Sequence, residues 1–181
     1  MYYRLFKMKE ICNEVITIMA KQKEIKTNAM RILENMKIPF EVHTYECEEF
    51  IDGIQIADKL SQPHEKVYKT LVTVGNSKNY FVFVIPIEAE LDLKKAAKSV
   101  GEKAVAMIPV KDINQITGYI RGGCTAIGMK KQYVTRLSES AKEQETIIVS
   151  GGRIGSQIEL MPEDFIKAAR AEYADIEAEN E

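Results

Sequence analysis

Four features of the chain offer residue types able to do chemistry. Lys69 stands within Val67-Tyr68-Lys69-Thr70-Leu71-Val72, where apolar neighbours on a strand would direct its ammonium into a mouth or pocket. A lysine held there grips a phosphate as a point charge. The competing reading is a solvated lysine at a strand end. The second stretch is Gly118-Tyr119-Ile120-Arg121-Gly122-Gly123-Cys124-Thr125-Ala126-Ile127-Gly128. Glycines this dense let backbone N–H groups converge on an anion or a polarised carbonyl, as in an oxyanion hole. A loop that merely connects two elements would have the same composition, and the pattern is neither a Walker motif nor GxGxxG. The third stretch, Ser150-Gly151-Gly152-Arg153, directly follows the strand-like Thr146–Val149. A hydroxyl, two permissive glycines and a cation beyond a strand end suit a ribose-phosphate; a glycine hairpin is the alternative.

The fourth feature is Cys124. A cysteine nucleophile needs a base or strongly electropositive surroundings, and neither His43 nor His64 is near it in sequence. Cys124 therefore reads as a small buried hydrophobe. Both histidines lack partners at metal spacing and default to structural or surface roles. Cys12, Cys47 and Cys124 form no CxxC or Cys/His group. No metal and no cofactor is expected, and the thiols are expected to stay reduced in the cytoplasm. Paired carboxylates for acid–base work are not evident.

Bulk properties narrow the partners. The 181 residues are 45% hydrophobic and 29% charged, ordinary for a globular chain able to bury a core. The net charge of −2 is wrong for a protein that coats duplex nucleic acid, which would be basic overall. Any contact with nucleic acid must be local, to an end or a few phosphates. The longest apolar run, Tyr80–Ile87, suits a buried strand and is too short to span a membrane. Arg4, Lys7 and Lys9 resemble the start of a signal peptide, but Asn13 and Glu14 interrupt the apolar stretch that would follow. A soluble, non-exported protein is expected.

The elements that must position these residues alternate between helices and strands. Ile11, Val15, Ile18 and Met19 predict an amphipathic helix over 9–22. Thr27 is placed to cap a second helix with Met30, Leu33 and Met36 inward. Pro39 opens an extended segment to Tyr45, and Asp52-Gly53 starts a short helix stopped by Pro63. Val67–Val74 and Tyr80–Ile87 read as strands joined by the hairpin chemistry of Gly75-Asn76-Ser77-Lys78. Asp92 caps a helix through Ser99, and Gly101 ends it. A short strand at Lys103–Met107 and a short helix at Val110–Ile116 follow. Strands near Gln132–Leu137, Glu145–Val149 and Gln157–Leu160 lead to a last helix with Pro162 in its first turn. Six to seven strands with four to six helices predict an α+β, mixed-sheet fold.

Taken in order, these segments resemble the YbaK/EbsC family of aminoacyl-tRNA deacylases, relatives of the editing domain of bacterial prolyl-tRNA synthetases. The resemblance runs from Lys37-Ile38-Pro39-Phe40 and His43-Thr44-Tyr45 through Tyr68-Lys69-Thr70-Leu71 and Leu93–Gly101. It continues over Thr117–Gly123, Gly128-Met129-Lys130-Lys131, Ser150–Arg153 and Ile158-Glu159-Leu160. It spans about residues 25 to 176. Residues 1–24 are expected to be an N-terminal helical extension, and 25–181 the deacylase domain.

The resemblance implies a mixed sheet curled towards a barrel with surrounding helices. It implies hydrolysis of mischarged aminoacyl-tRNA, most of all Cys-tRNA(Pro), with prolyl-tRNA synthetase as a transient partner. By position, Lys69 matches the lysine that binds the terminal nucleotide, and Tyr45 a tyrosine of the same pocket. Backbone groups of Gly122, Gly123, Thr125 and Gly128 would face the ester carbonyl. Thr70, Arg121, Ser150, Gly151, Gly152 and Arg153 complete the expected substrate-binding set. In the family the substrate's own thiol attacks its carbonyl, so no protein nucleophile is required. Where the family loop reads Gly-Gly-x-Ser-Pro-x-Gly, this chain has Thr125 and Ala126; Thr125 keeps a hydroxyl, but Ala126 loses the fixed φ of proline. Two rival readings stand beside this one: a non-catalytic module that binds acceptor ends or a synthetase, and a deacylase for Ala- or Ser-charged tRNA.

Overall fold

The structure is a computed structural model that describes residues 26–46 and 52–179. The helix expected over 9–22, the extension 1–24, Cys12 and Cys47 lie outside these residues.

Helix starts follow the capping residues. Thr27 Oγ1 accepts from the Met30 N–H to open α1 (Asn28–Asn35), which buries Ala29, Met30 and Leu33. Met36, expected on that inner face, is instead the C-cap, beside a left-handed Lys37, and is exposed. Asp52 caps α2 (Gly53–Lys59), and Asp92 caps α3 (Leu93–Ser99) through the Lys94 and Lys95 N–H groups. A 3-10 turn leads into α4 (Ile113–Thr117), which ends at left-handed Gly118. Pro162 opens α5 (Pro162–Ala169).

Among the described residues, eight strands form two sheets. One has the order β1 (Glu41–Thr44), β7 (Ser156–Leu160), β6 (Ile147–Ser150), antiparallel throughout. The other has the order β4 (Val105–Met107), β2 (Tyr68–Gly75), β3 (Tyr80–Pro86), β5 (Val134–Ser138), β8 (Ala171–Ala174). There β2 and β3 form the expected hairpin, while β5 and β8 add parallel strands. The mixed α+β class holds, but the strands divide into two sheets instead of one, and the described residues form no closed barrel. Closure would require an edge strand of one sheet to pair fully with the other. Among the described residues the backbones of the two sheets are joined by the parallel bridge Val67–Ile148 and by no longer ladder.

Burial explains the strand patterns. The main core packs Met30 and Leu33 of α1 and Phe165 of α5 against Val82, Val84, Leu137, Val149 and Ile158. A second cluster on the other face of the five-stranded sheet joins Phe81, Phe83 and Ile85 to Ala96 and Ala97 of α3. β3 is thus buried on both faces, which is why its run is apolar without alternation. A third cluster, Ala57, Val67, Ile87 and Ile148, fills the seam between the sheets under α2. No helix among the described residues is long and apolar enough to cross a membrane.

Candidate active site

At that seam the chain leaves a cleft of about 320 Å³. Its walls come from strand ends and two loops: the start of β2, the end of β6, the start of β7, Tyr45 just past β1, the opening of α2, and the loop around Arg121. Strand ends expose backbone and side chains that a sheet interior would bury, and ligands gather there for that reason.

Lys69 is the second residue of β2 and lies in the cleft wall. Its Nζ donates to the Ile87 carbonyl at 2.8 Å, using one of three donors. Burial pushes its pKa below the ordinary lysine value, while the charges of Asp52 and Glu90 pull it back up. An ammonium partly stripped of water, with donors to spare, favours an incoming anion. Beside it, the hydroxyl of Thr70 is enclosed without a hydrogen-bond partner, and so is that of Ser156 across the cleft. Buried hydroxyls without partners are uncommon and suit a ligand's polar atoms.

The cleft brings together Tyr45, Lys69, Thr70, Arg121, Gly122 and Ser150 from the expected set. Tyr45 is anchored by its N–H to the Gly155 carbonyl at 3.0 Å. The remaining expected residues stand behind this wall. Gly123 is buried, and a Cβ there would lie 2.8 Å from the Arg153 Cα. That close approach lets the Arg121–Gly128 loop lie directly on the Ser150–Arg153 turn. Thr125 is fully buried with its hydroxyl unpartnered, and Gly128 packs against Asn28 and Ile32 of α1. Gly151 and Gly152 form the turn of the β6–β7 hairpin, with the Gly151 N–H on the Ser156 carbonyl at 2.8 Å. Arg153 follows in the same turn with its Nε buried and unpartnered. The glycines of this segment make the hairpin, and Ser150 lies in the cleft wall.

Cys124 also lines the cleft while packing against the main core. Burial pushes its thiol up to about 11, against a small opposing effect of the Thr117 hydroxyl. A thiol at that value is protonated near neutral pH and is a poor nucleophile. His43 donates or accepts at 2.7 Å from Glu159, on the outer face of the three-stranded sheet. Glu41, His43 and Glu159 bring one ligand atom each within 4.8 Å of one another. His43 and Glu159 already engage each other, Thr146 holds the second Glu159 oxygen at 2.5 Å, and the charge of Lys66 lies close.

Sequence reasoning missed Asp52, Gly53, Ile87, Ser156 and Gln157 as parts of the wall. Ser156 and Gln157 were legible from the hairpin, since a turn at Gly151–Gly155 returns them beside Ser150. Ile87 had no local signal; it reaches Lys69 because β2 and β3 pair antiparallel, with Lys69 opposite Ile85.

Known proteins resemble this chain in sequence and in fold. Residues 52–168 match the model of the aminoacyl-tRNA editing domain family. The chain is 46% identical over 160 residues to EbsC of Enterococcus faecalis, a candidate Cys-tRNA(Pro)/Cys-tRNA(Cys) deacylase, covering 87% of this chain and 98% of that protein. A candidate trans-editing enzyme for prolyl tRNA synthetase has the same fold, with a TM-score of 0.74 at 20% identity over 86% of this chain and all of that one. A hypothetical protein of known structure superposes with a TM-score of 0.76 at 18% identity, over 84% of this chain and all of its own.

Proposed function

The chain belongs to the aminoacyl-tRNA editing domain family, and from that premise we propose that it removes cysteine from wrongly charged transfer RNA, Cys-tRNA(Pro) above all. It is an enzyme acting on aminoacyl-tRNA. The observation that carries the substrate reading is the setting of Lys69. A half-buried ammonium with free donors stands in a cleft with an aromatic ring, an arginine and two unpartnered hydroxyls. The terminal nucleotide of an acceptor end supplies the matching chemistry: a phosphate for Lys69, hydroxyls for Thr70 and Ser156, a base for Tyr45.

An aminoacyl ester is already activated, so positioning and charge stabilisation carry most of the catalysis. The substrate's sulfur attacks its own carbonyl carbon, and the bond to the ribose oxygen breaks. That oxygen leaves with the thiol's proton, and water then opens the released thiolactone to free cysteine. Gly122 at the rim presents backbone to the carbonyl. Cys124 stays protonated and takes no part. Prolyl-tRNA synthetase, which forms the wrong ester, is the partner that hands over the substrate, and the cytoplasm is where they meet. The relative's name covers two tRNAs with one amino acid, which favours recognition of the charged end over the tRNA body.

The test is incubation with tRNAs charged with cysteine, S-methylcysteine, serine, alanine and proline, following loss of each ester. Rapid loss from the cysteine-charged tRNA alone is expected. Binding of acceptor ends with no ester lost would mean a non-catalytic module. Equal loss from the S-methylated substrate would make the thiol a spectator.

A further inference from the structure

A second group of contacts lies outside the cleft, around His64. His64 sits in the 3-10 turn His64–Lys66 that leads into β2. Its Nδ1 lies 2.7 Å from Glu88 Oε1, and its Nε2 lies 2.8 Å from Asp58 Oδ1. A neutral imidazole has one N–H and can donate to only one of these carboxylates; the imidazolium donates to both.

The two carboxylates belong to the two segments that frame Lys69. Asp58 is in α2, whose opening residues Asp52 and Gly53 line the cleft. Glu88 follows Ile87, whose carbonyl accepts from Lys69 and whose N–H donates to the Val67 carbonyl at 2.7 Å. The Ile87 side chain occupies the space where a Cβ on Gly53 would stand. Inside, then, the segments touch through Gly53 and Ile87. Outside, they are pinned through Asp58, His64 and Glu88.

We propose that protonated His64 is a positioning residue for Lys69: by clamping α2 to the segment after β3, it holds the Ile87 carbonyl and Asp52 in place around the ammonium. As a contribution to deacylation this rests on the function proposed above. The clamp itself stands on the contacts of His64 with Asp58 and Glu88. Lys69 depends on both groups, because burial works against its charge while Asp52 works for it. A deprotonated His64 would leave one carboxylate without its donor and facing the other negative charge.

The surroundings favour the protonated form of His64. Its pKa is raised, first by the Glu88 hydrogen bond and then by that of Asp58, with burial opposing. Glu65, Glu143, Glu177 and Tyr68 share with it an outer cavity of about 330 Å³, and Lys66 is the cation of its own turn. Because the folded value lies above the ordinary one, the clamp is complete below about pH 6.5 and is lost as pH rises through the raised value.

The test compares wild type, His64→Gln and Glu88→Gln between about pH 5.5 and 8.5. The readouts are kcat/KM on Cys-tRNA and the ¹³C signal of the Lys69 ε-carbon, assigned with Lys69→Arg. Because the intrinsic lability of the ester cancels in a ratio, wild type should exceed His64→Gln by about fivefold to tenfold near pH 6 and converge on it at high pH. The Lys69 signal in wild type should inflect where His64 titrates; this inflection should vanish in His64→Gln and move to lower pH in Glu88→Gln, which removes the largest cause of the raised His64 pKa. A ratio constant with pH, or no Lys69 inflection at the His64 titration, overturns the clamp. If wild type clears no ester, the functional reading fails, while the Lys69 signal still decides the clamp. Should His64→Gln not fold, Glu88→Gln and the wild-type titration decide.

Discussion

Removing the Lys69 ammonium takes away the charge that the cleft offers to a phosphate while leaving the β2–β3 pairing intact, since that pairing runs through backbone groups. A charged hydrogen bond is worth about 1.5–3 kcal/mol, so Lys69→Ala should lower kcat/KM by roughly 10- to 150-fold without lowering Tm. Steady-state kinetics beside a thermal melt check this; wild-type turnover in a folded variant would remove Lys69 from the site. Lys69 also sets an alkaline limit. Its lowered pKa means that its charge, and with it the grip on phosphate, fades at a lower pH than for an exposed lysine. Cys124 predicts the opposite outcome. Its thiol, held at about 11 by burial, is protonated at working pH, so Cys124→Ala should keep most of the activity. Mass spectrometry during turnover should find no acyl group on Cys124, and a trapped adduct there would replace the substrate's thiol with the protein's.

At the scale of elements, the cleft depends on how closely two loops approach. Gly123 sits where any side chain would strike the backbone of Arg153 at 2.8 Å, and backbone cannot move aside as a flexible side chain would. Gly123→Ala should therefore push the Arg121–Gly128 loop off the β6–β7 turn. The cost of such overpacking is about 1–3 kcal/mol, read as a lower denaturation midpoint, together with reduced deacylation. A variant as stable and active as wild type would show that the loop yields without consequence. The Thr125–Ala126 departure from the family loop belongs to this scale too. Both residues are buried, so packing holds the conformation that a proline would otherwise restrict.

For the whole molecule, charge governs how a transfer RNA can be held. With a net charge of −2 and few cationic groups in the cleft, the chain can neutralise only a few phosphates. Affinity for charged tRNA should fall with salt at a slope of about −2 in log K against log salt, far shallower than for proteins that track a duplex. Binding measured between about 50 and 200 mM salt tests this. A slope of about −6 or steeper would require an extended basic face outside the cleft. A stem-loop bearing only the acceptor end should bind as well as the whole tRNA.

Much of this protein is determined locally. Thr27, Asp52 and Asp92 announce helix starts because capping is a contact between a side chain and N–H groups two or three residues on. The β2–β3 hairpin is legible because a four-residue turn and two β-rich runs decide it without help. Lys69, Tyr45, Arg121 and Ser150 could be singled out by residue type and neighbourhood, and they do share one cleft. Pairing between distant segments left no such trace. β8 was missed because Ala171-Glu172-Tyr173-Ala174 suits a helix as readily as a strand, and only the open edge of β5 selects the strand. The division into two sheets, the contact of Ile87 with Lys69, and the His64 bridge between Asp58 and Glu88 arise the same way. Each joins residues whose own neighbours are indifferent to the outcome, so tertiary packing alone could decide them.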